Sequence, residues 1–160
     1  MKLIHNATRS ALLAGLALAL FAGLGAAATA ADMSKAVDYR QNIMKSIGAN
    51  AADIGLMLKG EVPFSDAQVA AHATAINALA KIIPDAVPAG SDVGKTYAKP
   101  EIWTHMDEFK KYAAALETES AKLIKVAEAG GDAKAVQAQV AVMGKEACGA
   151  CHKAFRKPLQ

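Results

Sequence analysis

Residues 148–152 read Cys148-Gly149-Ala150-Cys151-His152. The run has the form C-x-x-C-H, in which two thiols form thioether links to haem vinyl groups and the histidine supplies an axial iron ligand. On a regular helix Cys148 and Cys151 stand three residues apart and Cys148 and His152 four apart. All three side chains then share one face and can hold a porphyrin at its edge and at its iron. Competing readings each need something the chain lacks. A redox C-x-x-C follows a strand in a βαβ pattern, whereas this run lies in a helical stretch with eight residues after His152. A structural zinc site needs four closed ligands, and His72 and His105 have no ligand-like spacing. A disulfide between positions i and i+3 of a regular helix is poorly placed for bridge geometry.

The start of the chain reads as a secretory signal over residues 1–30. Lys2 and Arg9 form a positive region, Ala11 to Leu24 an apolar one, and Ala28-Thr29-Ala30 fits the small-x-small cleavage rule. The apolar run is short for a membrane span of roughly 20 residues. Cleavage after Ala30 leaves residues 31–160 as one domain with no membrane span, exported in a bacterium-like host to the periplasm. Losing Lys2 and Arg9 lowers the formal charge from +3 to about +1, which excludes a basic, nucleic-acid-seeking chain. Both cysteines lie in the C-x-x-C-H run, so no disulfide framework is available even in an oxidising compartment.

After residue 31 the apolar positions recur at three and four and no strand alternation is found. Four helical segments are expected. The first runs from about Ser34, a candidate N-cap, to Lys59, with Val37, Met44, Ala51 and Leu58 in strict sevens, Ile43, Ile47 and Ile54 beside them, and Gly60 as the stop. Gly48 and Gly55 inside it suit either close approach of a neighbour or tolerated weak points. The second begins at a capping box, Ser65-Asp66-Ala67-Gln68, with Phe64 able to staple to Val69. Its stripe is Val69, Ala73, Ile76, Ala80 and Ile83, ended by Pro84. Residues 84–99 form a connection longer than the 2 to 8 residues usual in bundles, either a lid or a plain crossover. The third segment starts with Pro100 at N1 and buries Ile102, Met106, Phe109, Ala113, Leu116, Leu123 and Ala127. Gly130-Gly131 breaks the chain, Asp132 caps the fourth, and Val136, Val140, Met143 and Ala147 lead into the C-x-x-C-H run, with Gly144 a candidate for close porphyrin approach. The fold class is all-α, an antiparallel four-helix bundle with covalently bound haem c.

The chain resembles the class II c-type cytochromes, the cytochrome c prime family with its low-spin branch, in which C-x-x-C-H lies in the last helix. The resemblance covers the mature chain and rests on Tyr39-Arg40-Gln41, Met44, Pro100-Glu101-Ile102-Trp103, and the C-x-x-C-H run followed by Phe155-Arg156-Lys157. It implies one covalent haem c on Cys148 and Cys151, His152 as proximal iron ligand, and Arg40 and Gln41 against the haem, the arginine facing a propionate. Met44 falls at the distal position that faces the iron. As a ligand it makes a six-coordinate, low-spin His/Met site suited to electron transfer. As core filling it leaves a five-coordinate site open to nitric oxide or carbon monoxide. The leading expectation is therefore an electron carrier serving periplasmic redox proteins, with a gas-binding protein as the alternative and no enzymatic role. Met57, Met106 and Met143 are expected in the core, His72 on the surface and His105 in packing. The charges Lys110-Lys111, Glu117 and Glu119 read as solvated faces. A homodimer through the first two helices is compatible with apolar residues outside the inner stripe, Met57 and Ile82.

Overall fold

The structure, a computed structural model, describes residues 25–158, and side chains from Met33 onward. The expected signal's charged start and apolar run, residues 1–24, lie outside the described residues. The chain divides into two compact units, residues 1–32 and 33–160, and the account below concerns the second.

Helix α1 (Gly25–Leu58) is followed by α2 (Asp66–Ile82), a 3₁₀ turn (Pro84–Ala86), α3 (Glu101–Thr104), α4 (Met106–Glu128), α5 (Ala133–Val142), a π-helical segment (Met143–Gly149) and α6 (Ala150–Phe155). Four helical runs thus make the bundle, the third and fourth each interrupted once. No described helix is long and apolar enough to cross a membrane.

The stops and starts follow from local chemistry. Gly60, at φ 72°, ends α1 in a Schellman motif: its N–H donates to Met57 O and the Glu61 N–H to Leu56 O. Gly130 repeats the device after α4, with bonds to Ala127 O and from Gly131 to Val126 O. Gly131 is required there, because a Cβ would meet Val126 O at 2.5 Å. Ser65 Oγ accepts from Gln68 N at 3.3 Å and Asp132 Oδ1 from Ala135 N at 2.8 Å, so two of the three expected N-caps form. Phe64, the expected staple, stays 36 % exposed.

Three expectations need correction. Ser34 does not cap α1, because the alanine-rich stretch before it is already helical. The third run is broken at His105 (φ −127°), where Thr104 Oγ1 turns back onto Glu101 O, and α4 starts afresh with Asp107 and Glu108 in its first turn. The fourth run passes through a π segment, in which the Ala150 N–H reaches back five residues to Lys145 O.

The core is the set of expected stripes. Ile54, Ile76, Leu123, Val69 and Val136 are fully buried, and Ala73, Ala80, Phe109, Ala113, Leu116, Ala127, Met143 and Ala147 pack with them. Met57 is 4 % exposed and belongs to this core, so it does not contribute to an outer dimer face, while Ile82 is half-buried. The α1–α2 flank instead carries a polar pair, His72 Nδ1 with Asn50 Oδ1 at 2.9 Å, which half-buries a histidine expected on the surface. Ser120, fully buried in the α4 stripe, is satisfied by Leu116 O and receives Asn77 Nδ2 from α2 at 3.0 Å.

Glu119 is likewise more than a solvated charge. Its carboxylate accepts from Lys122 Nζ at 2.7 Å and from Gln139 Nε2 at 2.8 Å, tying α4 to α5. These bonds, Lys122's first, hold its pKa below the ordinary value. A depressed carboxylate stabilises the fold above its unfolded pKa and loses that contribution as the pH falls through the folded value. Glu119→Gln therefore lowers the thermal midpoint at pH 7 and converges on wild type in acid; a gap that persists on acidification contradicts this role.

Candidate functional site

A cavity of about 570 Å³ opens between α1, the crossover segment, α4 and the last helical run. The size is in the range of cofactor sites. All six residues singled out from the sequence line it: Arg40, Gln41 and Met44 from α1, Cys148 from the π segment, and Cys151 and His152 from α6. Ile47, Ile102, Phe109, Ala113 and Leu116 supply apolar wall, and among the described residues no aspartate or glutamate lines the cavity. Phe155 meets Phe109 edge-on at 5.6 Å and Tyr112 at 6.0 Å, so aromatic packing seats α6 against α4.

The long connection is held by Arg40, itself 7 % exposed. Its guanidinium donates to Ala86 O and Ser91 Oγ, both at 3.1 Å, and to Ser91 O at 3.1 Å and Thr96 Oγ1 at 3.0 Å. It also lies 5.6 Å from the Trp103 ring centroid, while Trp103 Nε1 donates to Pro88 O at 2.9 Å. Gln41 Nε2 adds a bond to Lys95 O at 2.8 Å. The far end of the crossover is tied to the last run by a bridge between Ala98 and Arg156, in which Lys99 N donates to Phe155 O and Lys157 N to Tyr97 O. Lys99 Nζ reaches Lys153 O and Ala154 O, a cation at the C-terminal end of α6. The crossover is therefore one wall of the cavity, through Thr96, Tyr97 and Ala98.

The attachment run straddles the π-to-α transition, so its residues are not on one regular helix as the spacing suggested. Both cysteines are free and half-buried. Burial pushes the Cys148 thiol pKa up, and burial with the neighbouring Cys148 pushes Cys151 up to about 11, so both are protonated thiols at neutral pH. Burial, and next Arg156, pulls His152 down, which favours the neutral imidazole with a lone pair for a metal. Gly144 is exposed and does not line the cavity, whereas Gly48 does, with nothing within 4 Å of where its Cβ would stand.

These features fit a haem on observable grounds. An apolar cavity carries two unpaired thiols and a neutral imidazole on one wall, and on another a buried guanidinium whose four hydrogen bonds all go to neutral oxygens. The family model for Cytochrome C' matches residues 35–156. The chain belongs to the cytochrome c prime family. It is 36 % identical to cytochrome c-556 of Agrobacterium tumefaciens (strain II Chrys) over 120 residues, 75 % of this chain and 95 % of that one. Among solved structures, cytochrome c prime from Shewanella frigidimarina matches with a TM-score of 0.71 at 33 % identity, over 79 % of this chain and 97 % of that one. The nitric oxide complex of a single-residue variant of cytochrome c prime from Alcaligenes xylosoxidans matches with a TM-score of 0.71 at 30 % identity, over the same shares. As a member of that family, the chain binds one covalent haem c through its two cysteines.

Sequence reasoning missed the wall made by Thr96, Tyr97 and Ala98 and the second task of Arg40 and Gln41. The available signal was the unusual length of the 84–99 connection. Replacing Arg40 by alanine removes the donor from four buried or part-buried acceptors and strands the two carbonyls among them, Ala86 O and Ser91 O, at about 1–3 kcal/mol for each. The expected result is a loss of about 3 kcal/mol in urea unfolding and faster amide exchange across residues 84–98. Arg40→Lys restores the charge but not the fork, so the exchange stays fast; unchanged exchange in both variants contradicts the clamp.

Proposed function

We propose that this protein is a periplasmic monohaem electron carrier whose iron is bound by His152 and Met44. The carrying observation is that Met44, a thioether on α1, and His152, a neutral imidazole on α6, line one apolar cavity. When bound, haem c supplies one-electron ferric–ferrous chemistry, and His/Met ligation raises the potential relative to softer alternatives. Cys148 and Cys151 would hold it through thioether links, and His152 would present its lone pair. Arg40 offers an unneutralised charge to a propionate, the pairing expected for a guanidinium and a carboxylate in a dry site. Ile47, Phe109 and Leu116 supply apolar wall that would exclude water from the bound group. The signal-like residues 1–30 support export, and the c-556 relatives support a carrier.

One observation favours a second reading, a five-coordinate haem that binds nitric oxide or carbon monoxide. Gly48 and Ala51 follow Met44 along the cavity wall, and the space beside Gly48 is open. A flexible methionine can swing into such space and leave the iron face free. The Alcaligenes xylosoxidans structure is itself a nitric oxide complex.

The optical spectrum of the exported protein separates the two. Ligation by Met44 gives sharp low-spin bands in the ferrous state that carbon monoxide leaves unchanged, and Met44→Ala converts the protein to a high-spin form that binds carbon monoxide. A wild-type spectrum that already shifts with carbon monoxide, and is little altered by Met44→Ala, assigns the protein to gas binding.

A further inference from the structure

The last four carbonyls of a helix have no partner within it, and in α6 they belong to the turn that begins at His152. The carbonyl of His152 takes the Arg156 N–H at 3.0 Å. The other carbonyls of the turn all go to one residue. Lys99 Nζ donates to Lys153 O at 3.1 Å and to Ala154 O at 3.2 Å, and Lys99 N donates to Phe155 O at 2.9 Å. Among the described residues no carboxylate pairs with this ammonium, so its charge is spent on the negative end of the helix. The sequence holds Lys99 ready for the task. Pro100 follows it and disfavours a helical backbone at Lys99. Arg156, at φ −115° and ψ 132°, is extended opposite, and the bridge between Ala98 and Arg156 forms there.

We infer that Lys99 is a positioning residue for the iron ligand, setting the orientation of the His152 imidazole by capping the turn that carries it. This rests on His152 as axial ligand, which both readings of the function share. A ligating histidine is ordinarily oriented by a hydrogen bond from its second ring nitrogen to a carboxylate or a carbonyl. Burial and Arg156 act on the His152 ring, and no hydrogen bond to it forms among the described residues. Its orientation is therefore left to the backbone. Helix α6 has six residues, emerges from a π segment and stops at Arg156, so it is too short to hold its own end. Phe155 seats the turn against Phe109 and Tyr112 from one side. Lys99 fixes it from the end, and does so from a crossover whose Thr96, Tyr97 and Ala98 line the same cavity as His152. The ligand's turn and the facing wall are thereby held to each other.

Nuclear magnetic resonance of the ferric holoprotein tests this. Labelled histidine identifies the axial ligand by its hyperfine-shifted ring resonances, and the pattern of haem-methyl shifts follows the plane of that imidazole. Lys99→Met removes the ammonium bonds to Lys153 O and Ala154 O and keeps the backbone bond to Phe155 O. It should redistribute the haem-methyl shifts and speed amide exchange at 155–157 about tenfold. Lys99→Arg retains the cation and its donors and should restore both. Lys153→Met takes the same charge from an exposed side chain in the same turn and should change neither. Faster exchange with unmoved haem-methyl shifts leaves Lys99 a stabilising cap only and overturns the proposal. An equal change in Lys153→Met, or no change in any variant, overturns it too. If Lys99→Met yields no holoprotein, Lys99→Gln, which keeps a donor for one carbonyl, is read by the same criteria. A wild-type spectrum with no hyperfine-shifted histidine ring, or with one that belongs to His72 or His105, shows instead that the ligand reading fails, and the proposal falls with it.

Discussion

The site depends on one buried charge. Arg40 points from α1 into the long crossover and satisfies four neutral oxygens there, on Ala86, Ser91 and Thr96. Removing a guanidinium from water is costly, and among the described residues no carboxylate pairs with it to offset that cost; burial pulls the arginine pKa down. Arginine stays charged regardless. The arrangement persists because a single planar fork reaches both ends of a loop that has almost no secondary structure of its own. With the loop held, Thr96 and Ala98 stand as a cavity wall, and the bridge to Arg156 carries the constraint onward to the helix that bears His152. One side chain thereby connects α1, the crossover and the attachment run.

The legible parts of the fold are those written in local chemistry. Ser65, Asp132, Gly60 and Gly130-Gly131 marked helix ends because caps and left-handed glycines act within a few residues of themselves. The stripes Val69–Ile76 and Phe109–Leu123 marked the core because helical period and burial coincide. The break at His105 and the π segment before Cys148 have no such signature; each is a register change settled by packing against distant elements. The same holds for the site. Cys148, Cys151 and His152 are a spacing, and Arg40, Gln41 and Met44 were found through family resemblance. The partners of Arg40, 46 to 56 residues away, are tertiary facts that no window of sequence contains.

Helix α1 shows how one segment serves two neighbours. Ile43, Ile47, Ile54 and Met57 face the bundle core, each less than a tenth exposed. Met44, Gly48 and Ala51 line the cavity, one step round the helix. The strict sevens through Met44 and Ala51 are therefore the seam along which α1 meets the cavity as well as the core. A larger side chain at 48 would enter the space that a cofactor, or a mobile Met44, needs.

That shared wall links stability to function. Ile47, Phe109, Ala113 and Leu116 are both core residues and cavity lining, so a cofactor seated there completes the burial of side chains that otherwise face an opening. Anything that binds the folded chain and not the unfolded one adds to its stability by mass action, and a covalent cofactor cannot leave. The chain can therefore build its bundle from alanine and small aliphatic residues with 5 % aromatics, because the large flat hydrophobe at its centre is supplied by the haem.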